Sequence, residues 1–332
     1  MTLYLSEKIR TISFFSMILV VLLHSQLMSI SSGVILEVQQ LFTGELTRIA
    51  VPMFFIISGY LFFQHISKPL NVFFHYKIKK RLYSLLCPYL FWSIWGCFVY
   101  LLVNTYIKDD VAIDYSFEQI LWAIFFDPIG AYQLWFLRDL FILAIFSPII
   151  YWVIRIGGVF ILVVLCVFWV NGVQYLIQIE SLFFFTTGAY IALIHCELPN
   201  RVYSNSAISV LLLTTWVVYC CFLVYYEWGY FFHCLGIILG VIGLWRIYDC
   251  IKPQNFALMR KYANYSFFIY VAHEPLLTGV KKSLLIVLGR SDPAIIVIYL
   301  VAPLITICIC ILIGFFFKTK NPRFYTFISG GR

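Results

Sequence analysis

Long apolar blocks alternate along the chain with short stretches rich in Lys and Arg. The blocks run to about 20 residues, the helical length that crosses a hydrocarbon core ~30 Å thick. In lipid each block has to satisfy its own backbone N–H and C=O groups, which a helix does and an isolated strand does not. The pattern therefore predicts an all-α integral membrane protein of about ten transmembrane helices, at about 11–30, 46–64, 83–105, 132–152, 157–174, 178–195, 206–226, 229–246, 264–284 and 293–317. The stretch 117–130 is apolar but short and interrupted, and reads as an interfacial or re-entrant segment. No fixed repeat and no linker divides the chain, so residues 1–332 are expected to form a single transmembrane domain with no soluble domain at either end. The first block lacks a small-residue cleavage site after it and a second block follows soon, which predicts no cleavable signal peptide.

Loop charge then orients the helices. An even number of spans puts both termini on one side. With both termini in the cytoplasm, all of the 23 Lys and Arg residues except Arg48, Lys108, Arg138, Lys281, Lys282 and Arg290 fall on that side. Such a bias is the positive-inside signature. The opposite side collects acids, notably Asp109, Asp110, Asp114 and Glu118. Lys281–Arg290 departs from the pattern, either as an outer loop or because the ninth span is shorter than drawn.

Composition agrees with the block pattern. Hydrophobic residues make up 63% of the 332 and charged residues 11%, against roughly 25% charged in soluble chains. The net charge of +8 is spread over short clusters between apolar blocks, so no nucleic-acid partner is expected. Of the ten cysteines, Cys87, Cys97, Cys166, Cys220, Cys221, Cys234, Cys308 and Cys310 lie inside apolar blocks and no CxxC occurs. They read as small hydrophobes, and neither a metal nor a tightly bound cofactor is expected. No P-loop, HExxH, GxSxG or dinucleotide fingerprint stands in its required context, which argues against a nucleotide-driven pump.

Ionisable residues within spans are costly, and so are candidates for function. His24 is expected about 13 residues into the first span, ~20 Å from its cytoplasmic start. An imidazole there can act as a base near neutral pH. Arg10 falls on nearly the same helical stripe, four turns earlier. The plain alternative is a histidine hydrogen-bonded between helices and an arginine obeying the positive-inside rule. His273 and Glu274, in IYVAHEPLL, can orient a hydroxyl, relay protons or lock two helices. Arg48 opens the second span, with Ser58, Gly59 and Tyr60 inside it; Gly59 can serve close helix packing alone. Arg138 and Asp139 stand beside Trp135 but point to different sides of a helix, so their mutual ion pair is not assured. The basic run His75–Arg81, placed on the loop before the third span, suits either anionic lipid headgroups or the phosphates of a nucleotide-bearing ligand.

Six segments in order resemble the acyltransferase-3 family of bacterial membrane acyltransferases. They are MILVVLLHS, TRIAVPMFFIISGYLFF, KIKKRLYSLLCPYLFWS, QLWFLRDLFILAIFSPII, SLFFFTTGAYIAL and SFFIYVAHEPLL. The second is the most specific, being similar to the family's R-x-x-V-P-x-F-F-x-x-S-G-Y. The resemblance implies a membrane O-acyltransferase of the bacterial cytoplasmic (inner) membrane. It implies an acyl donor, acetyl-coenzyme A or another acyl-CoA, approached from the cytoplasm, and as acceptor a sugar hydroxyl on an envelope polysaccharide or its lipid-linked precursor.

By motif, the resemblance makes His24 the catalytic residue, with Arg48 and His273 beside it. Arg81, with its neighbours Lys79 and Lys80, becomes a contact for coenzyme A phosphates. Ser58, Tyr60, Trp135, Tyr270 and Glu274 fall at substrate-side positions. One place departs from the family. Its usual arginine 11 residues before the histidine, and the aspartate three before that, are here Ser13 and Arg10. Either Arg10 reaches up into that role or another cation supplies it. A transporter or flippase of lipid-linked sugars is the rival reading: it would share the all-helical build and rare buried charges but use no acyl-CoA.

Overall fold

The computed structural model describes residues 2–27, 33–67, 69–106, 116–173, 177–194, 206–226, 228–250 and 257–331. Sixteen α-helices follow one another along them: α1 Leu3–His24, α2 Gly33–Gln39, α3 Ala50–Phe63, α4 Leu70–Arg81, α5 Cys87–Tyr106, α6 Phe117–Phe125, α7 Trp135–Ile145, α8 Ser147–Gly157, α9 Val159–Val170, α10 Ile179–Leu193, α11 Ser206–Tyr226, α12 Tyr230–Ile247, α13 Ala257–Tyr262, α14 Ser266–Leu288, α15 Asp292–Lys320 and α16 Pro322–Ile328. Among the described residues there is no strand. Helix is present in each of the ten stretches expected to span. Five continuous helical stretches are long and apolar enough to cross a membrane by themselves: Gly33–Phe63, Leu70–Asn104, Ala207–Tyr226, Tyr230–Cys250 and Asp292–Lys320. The last has a mean hydropathy of 3.0. Phe160, Leu211, Val218, Ile242, Leu304 and Phe315 are exposed on α9, α11, α12 and α15. A surface so apolar is suited to lipid and costly in water.

Several expected boundaries move, each for a local reason. α1 begins at Leu3, where the Thr2 side chain accepts from Leu5 N–H at 3.2 Å, and stops at His24. Lys8 and Arg10 therefore belong to the helix rather than to a loop, and His24 is its last residue rather than a mid-span one. The basic run His75–Arg81 is also helical: α4 continues through a π-turn, Leu82–Leu86, into α5. Span four is bent by 66° between α7 and α8. Pro148 lacks the N–H that would reach Ala144, and the Ser147 hydroxyl takes that carbonyl at 2.7 Å instead. α9 and α10, of 12 and 15 residues, are shorter than a bilayer crossing needs. α6 is a nine-residue helix opened by a Ser116–Gln119 capping box. Its last carbonyls are capped by Tyr89 (to Phe125 O, 2.9 Å) and Arg138 (to Phe126 O, 2.7 Å). Lys281 lies within α14 and not on an outer loop. The acids Asp109, Asp110 and Asp114, together with Lys68, Lys108, Arg201, Lys252 and Arg332, are outside the described residues.

Two packing devices set the bundle. α3 and α10 lie backbone against backbone at Gly59 and Gly188: a Cβ on Gly59 would strike the Phe185 carbonyl, and one on Gly188 the Ile56 carbonyl. Without an oil–water difference between neighbouring helices in lipid, such close approach of small residues is what holds them. Gly59 therefore serves packing. At the other device, Asp139 is fully buried and bonds three ways. It pairs with Arg138 at 3.1 Å and accepts from Gln178 N–H (3.2 Å) and the Ser181 hydroxyl (3.0 Å). The neighbouring pair does meet, because the long Arg138 side chain folds back along the helix. Asp139 also satisfies the start of α10, where donors lack intrahelical partners.

Candidate active site

Four helices, α1, α3, α7 and α14, enclose a cavity of about 470 Å³ that is also lined by Arg81 at the end of α4. Its walls are mostly apolar, with Arg10, Ser13, Ser58, Arg81, Asn264, Ser266 and Tyr270 as the polar exceptions. Arg10 is held in place by Asn264, whose Oδ1 accepts from Nη2 at 2.7 Å. The two guanidiniums thus share a chamber at the end of the bundle where α1 starts. Ser13, at the place of the family's usual arginine, lines the same chamber. Arg10, one turn earlier on the same helix, also lines that chamber.

His24 stands at the opposite end of α1, 14 residues beyond Arg10, or about 21 Å along a helix axis. Its imidazole is half-buried and faces other rings. It stacks on His273 with centroids 5.4 Å apart and meets Tyr132 edge-on at 5.0 Å. Lys281 donates to the His24 backbone carbonyl at 2.8 Å, capping the last turn of α1 with a cation. Arg48 sits in the turn Leu46–Ile49 just before α3. It is exposed, and its Nε donates to Thr43 O at 3.0 Å.

Proline chemistry builds the far wall of this cluster. Pro275 has no N–H to give to Val271 O, and Glu274 leaves helical geometry (φ −106°, ψ 138°). The side-chain amide of Gln133 takes over both freed carbonyls, at 3.5 Å to Val271 O and 3.4 Å to Glu274 O. The Tyr270 hydroxyl in turn donates to Gln133 O. The break turns Glu274 inward, where its carboxylate accepts from Thr278 at 2.9 Å and Tyr132 at 3.4 Å. His273 is fully buried; its Nδ1 donates to Tyr270 O at 2.7 Å, and its Nε2 has no partner among the described residues. Tyr270 joins the two regions: it lines the cavity, and its ring lies 6.3 Å from that of His273.

The candidate residues therefore divide between two regions, with others in neither. His24, His273 and Glu274 gather around Tyr132 at the last turn of α1. Arg81, Ser58 and Tyr270 line the cavity. Lys79 and Lys80 are exposed and contribute nothing to its wall, and the buried Tyr60 and half-buried Trp135 line neither region. Sequence reasoning passed over Tyr132, Gln133, Thr278 and Lys281. The signal for the first two was a polar pair directly before the LWFL block.

The acyltransferase-3 profile, described as an acyltransferase domain, matches residues 10–315, which hold every polar residue named in both regions. The chain belongs to the acyltransferase-3 family. As a member it is a multi-pass membrane acyltransferase. No curated protein and no solved structure matches it significantly. Among the described residues of this acyltransferase, no group of His, Cys, Asp or Glu gathers in the manner of a metal site.

Proposed function

We propose that this acyltransferase moves an acetyl or other short acyl group from acyl-CoA to a sugar hydroxyl of an envelope polysaccharide or its lipid-linked precursor. The reading places it in the bacterial inner membrane with both termini in the cytoplasm. The observation that supports it best is the pairing of Arg10 and Arg81 in one cavity with an imidazole at the other end of the same helix. Coenzyme A is a polyanion on a long, flexible arm that carries a thioester. Guanidiniums suit its phosphates, and the apolar cavity suits the arm.

In this mechanism His24 Nε2 takes the proton of the acceptor hydroxyl as the oxygen attacks the thioester carbonyl. The C–S bond then breaks, and the imidazolium returns the proton to the coenzyme A thiolate. Arg48, which the family motif places with His24, is assigned to the developing oxyanion.

The test of the overall reaction is mass spectrometry of surface glycan with and without the gene. Loss of O-acyl groups, with polymer still exported, is the expected result. Unchanged acylation with loss of exported polymer would instead favour a transporter. For the donor end, Arg81→Ala is expected to raise KM for acyl-CoA roughly tenfold to a hundredfold, the worth of one charge-assisted contact, with kcat little changed. Steady-state kinetics in detergent or nanodiscs measures it, and an unchanged KM would remove Arg81 from the donor site.

A further inference from the structure

We infer that Tyr132 is a positioning residue that couples the carboxylate of Glu274 to the imidazole of His24. The inference rests on the reading of His24 as the base. Tyr132 has a single hydroxyl proton, and it donates toward Glu274 Oε1 at 3.4 Å. The same oxygen lies 3.2 Å from His24 Nδ1. With its proton committed to the carboxylate, the phenol oxygen is an acceptor, so the hydrogen of the neutral imidazole sits on Nδ1. That leaves the Nε2 lone pair bare, as a base requires. The ring cannot swing away easily, because His273 is stacked on one face and Tyr132 stands against its edge.

The arrangement also answers an electrostatic problem. Lys281 of α14 donates to the His24 backbone carbonyl and His273 of α14 stacks on its ring, and the nearby ammonium opposes a positive imidazole. Glu274, reached through Tyr132, supplies the counter-charge when His24 gains the substrate proton. Thr278 holds the carboxylate from its other oxygen at 2.9 Å. No proton leaves Tyr132 in this scheme; the phenol transmits orientation and charge, much as a carboxylate bonded directly to a histidine does.

The experiment compares Tyr132→Phe, Glu274→Gln, the double variant and His24→Ala in the purified membrane enzyme with acyl-CoA. Each single variant of the relay should lower kcat by about tenfold or more, with KM for the donor unchanged. Each should move the acidic limb of the pH–rate profile to lower pH by the same amount. The double variant should be no worse than either single one. If His24→Ala is inactive while Tyr132→Phe keeps the wild-type kcat and limb, the coupling is overturned and the base assignment stands. If the double variant loses the product of the two single effects, the residues act separately and the coupling is likewise overturned. If His24→Ala stays active, the underlying assignment itself has failed.

Discussion

His24→Ala is expected to reduce acyl transfer by at least ~10²–10⁴-fold, the usual contribution of a positioned base, while the amount of protein in the membrane is unchanged. The geometry separates chemistry from folding unusually well at this residue. His24 is the last residue of α1, so no helical turn beyond it depends on its side chain. Its structural service is its backbone carbonyl, taken by Lys281, and alanine keeps that carbonyl. Alanine is also the strongest helix former. His24→Gln provides a second variant, which keeps a polar group beside Tyr132 but cannot accept and return a proton at neutral pH. Both should be measured against membrane level by immunoblot and against acyl transfer by release of free coenzyme A. Either variant retaining more than about a tenth of wild-type turnover would exclude His24 as the base.

The second large effect concerns stability. Lys8 is wholly buried, and its ammonium bonds both oxygens of Asp249 at 2.7 Å; Asp249 is equally buried and also accepts from the Tyr4 hydroxyl. The ring of Trp245 lies 4.3 Å beneath the ammonium. This pair ties the start of α1 to the turn Tyr248–Cys250 that follows α12, beside the more exposed Glu7–Arg260 pair at 3.0 Å. Removing one member strands the other charge away from water. Lys8→Met is therefore expected to cost ~3–5 kcal/mol, whereas changing both partners to apolar residues recovers most of the loss. Thermal unfolding in detergent, followed by size-exclusion chromatography, gives the comparison. A Lys8→Met protein as stable as the parent would show that the buried pair contributes little, and a double variant no better than Lys8→Met would assign the loss to packing. The arginine cavity lies on a neighbouring face of α1, so loosening this anchor should also weaken donor binding.

How far the site was legible follows from what kind of signal each residue leaves. His24, His273 and Glu274 stand out because charge in an apolar block is expensive, whatever the fold. Arg81 stands out as the end of the densest basic run, but Lys79 and Lys80 share that signal and lie on the solvent side of the same helix. A charge run names a helix and leaves its inward face undetermined until neighbours are known. Tyr132 left almost no signal, since tyrosine is common in this chain and its role comes from meeting His24 and Glu274, 108 and 142 residues away in sequence.

By itself the amino-acid sequence determined an all-helical membrane protein, the approximate places of its helices, the family, and the costly groups worth attention. These follow from block length, backbone hydrogen bonding in lipid and motif order, all local or nearly so. Only the tertiary structure decided that α1 ends at His24, that α4 carries the basic run into α5, and that Gly59 seats one backbone on another. The tertiary structure also decided that Arg10 shares a cavity with Arg81 and that Tyr132 stands between an imidazole and a carboxylate. Those facts depend on which side chains from distant segments fill the same space, and packing between helices settles that where periodicity within one helix cannot.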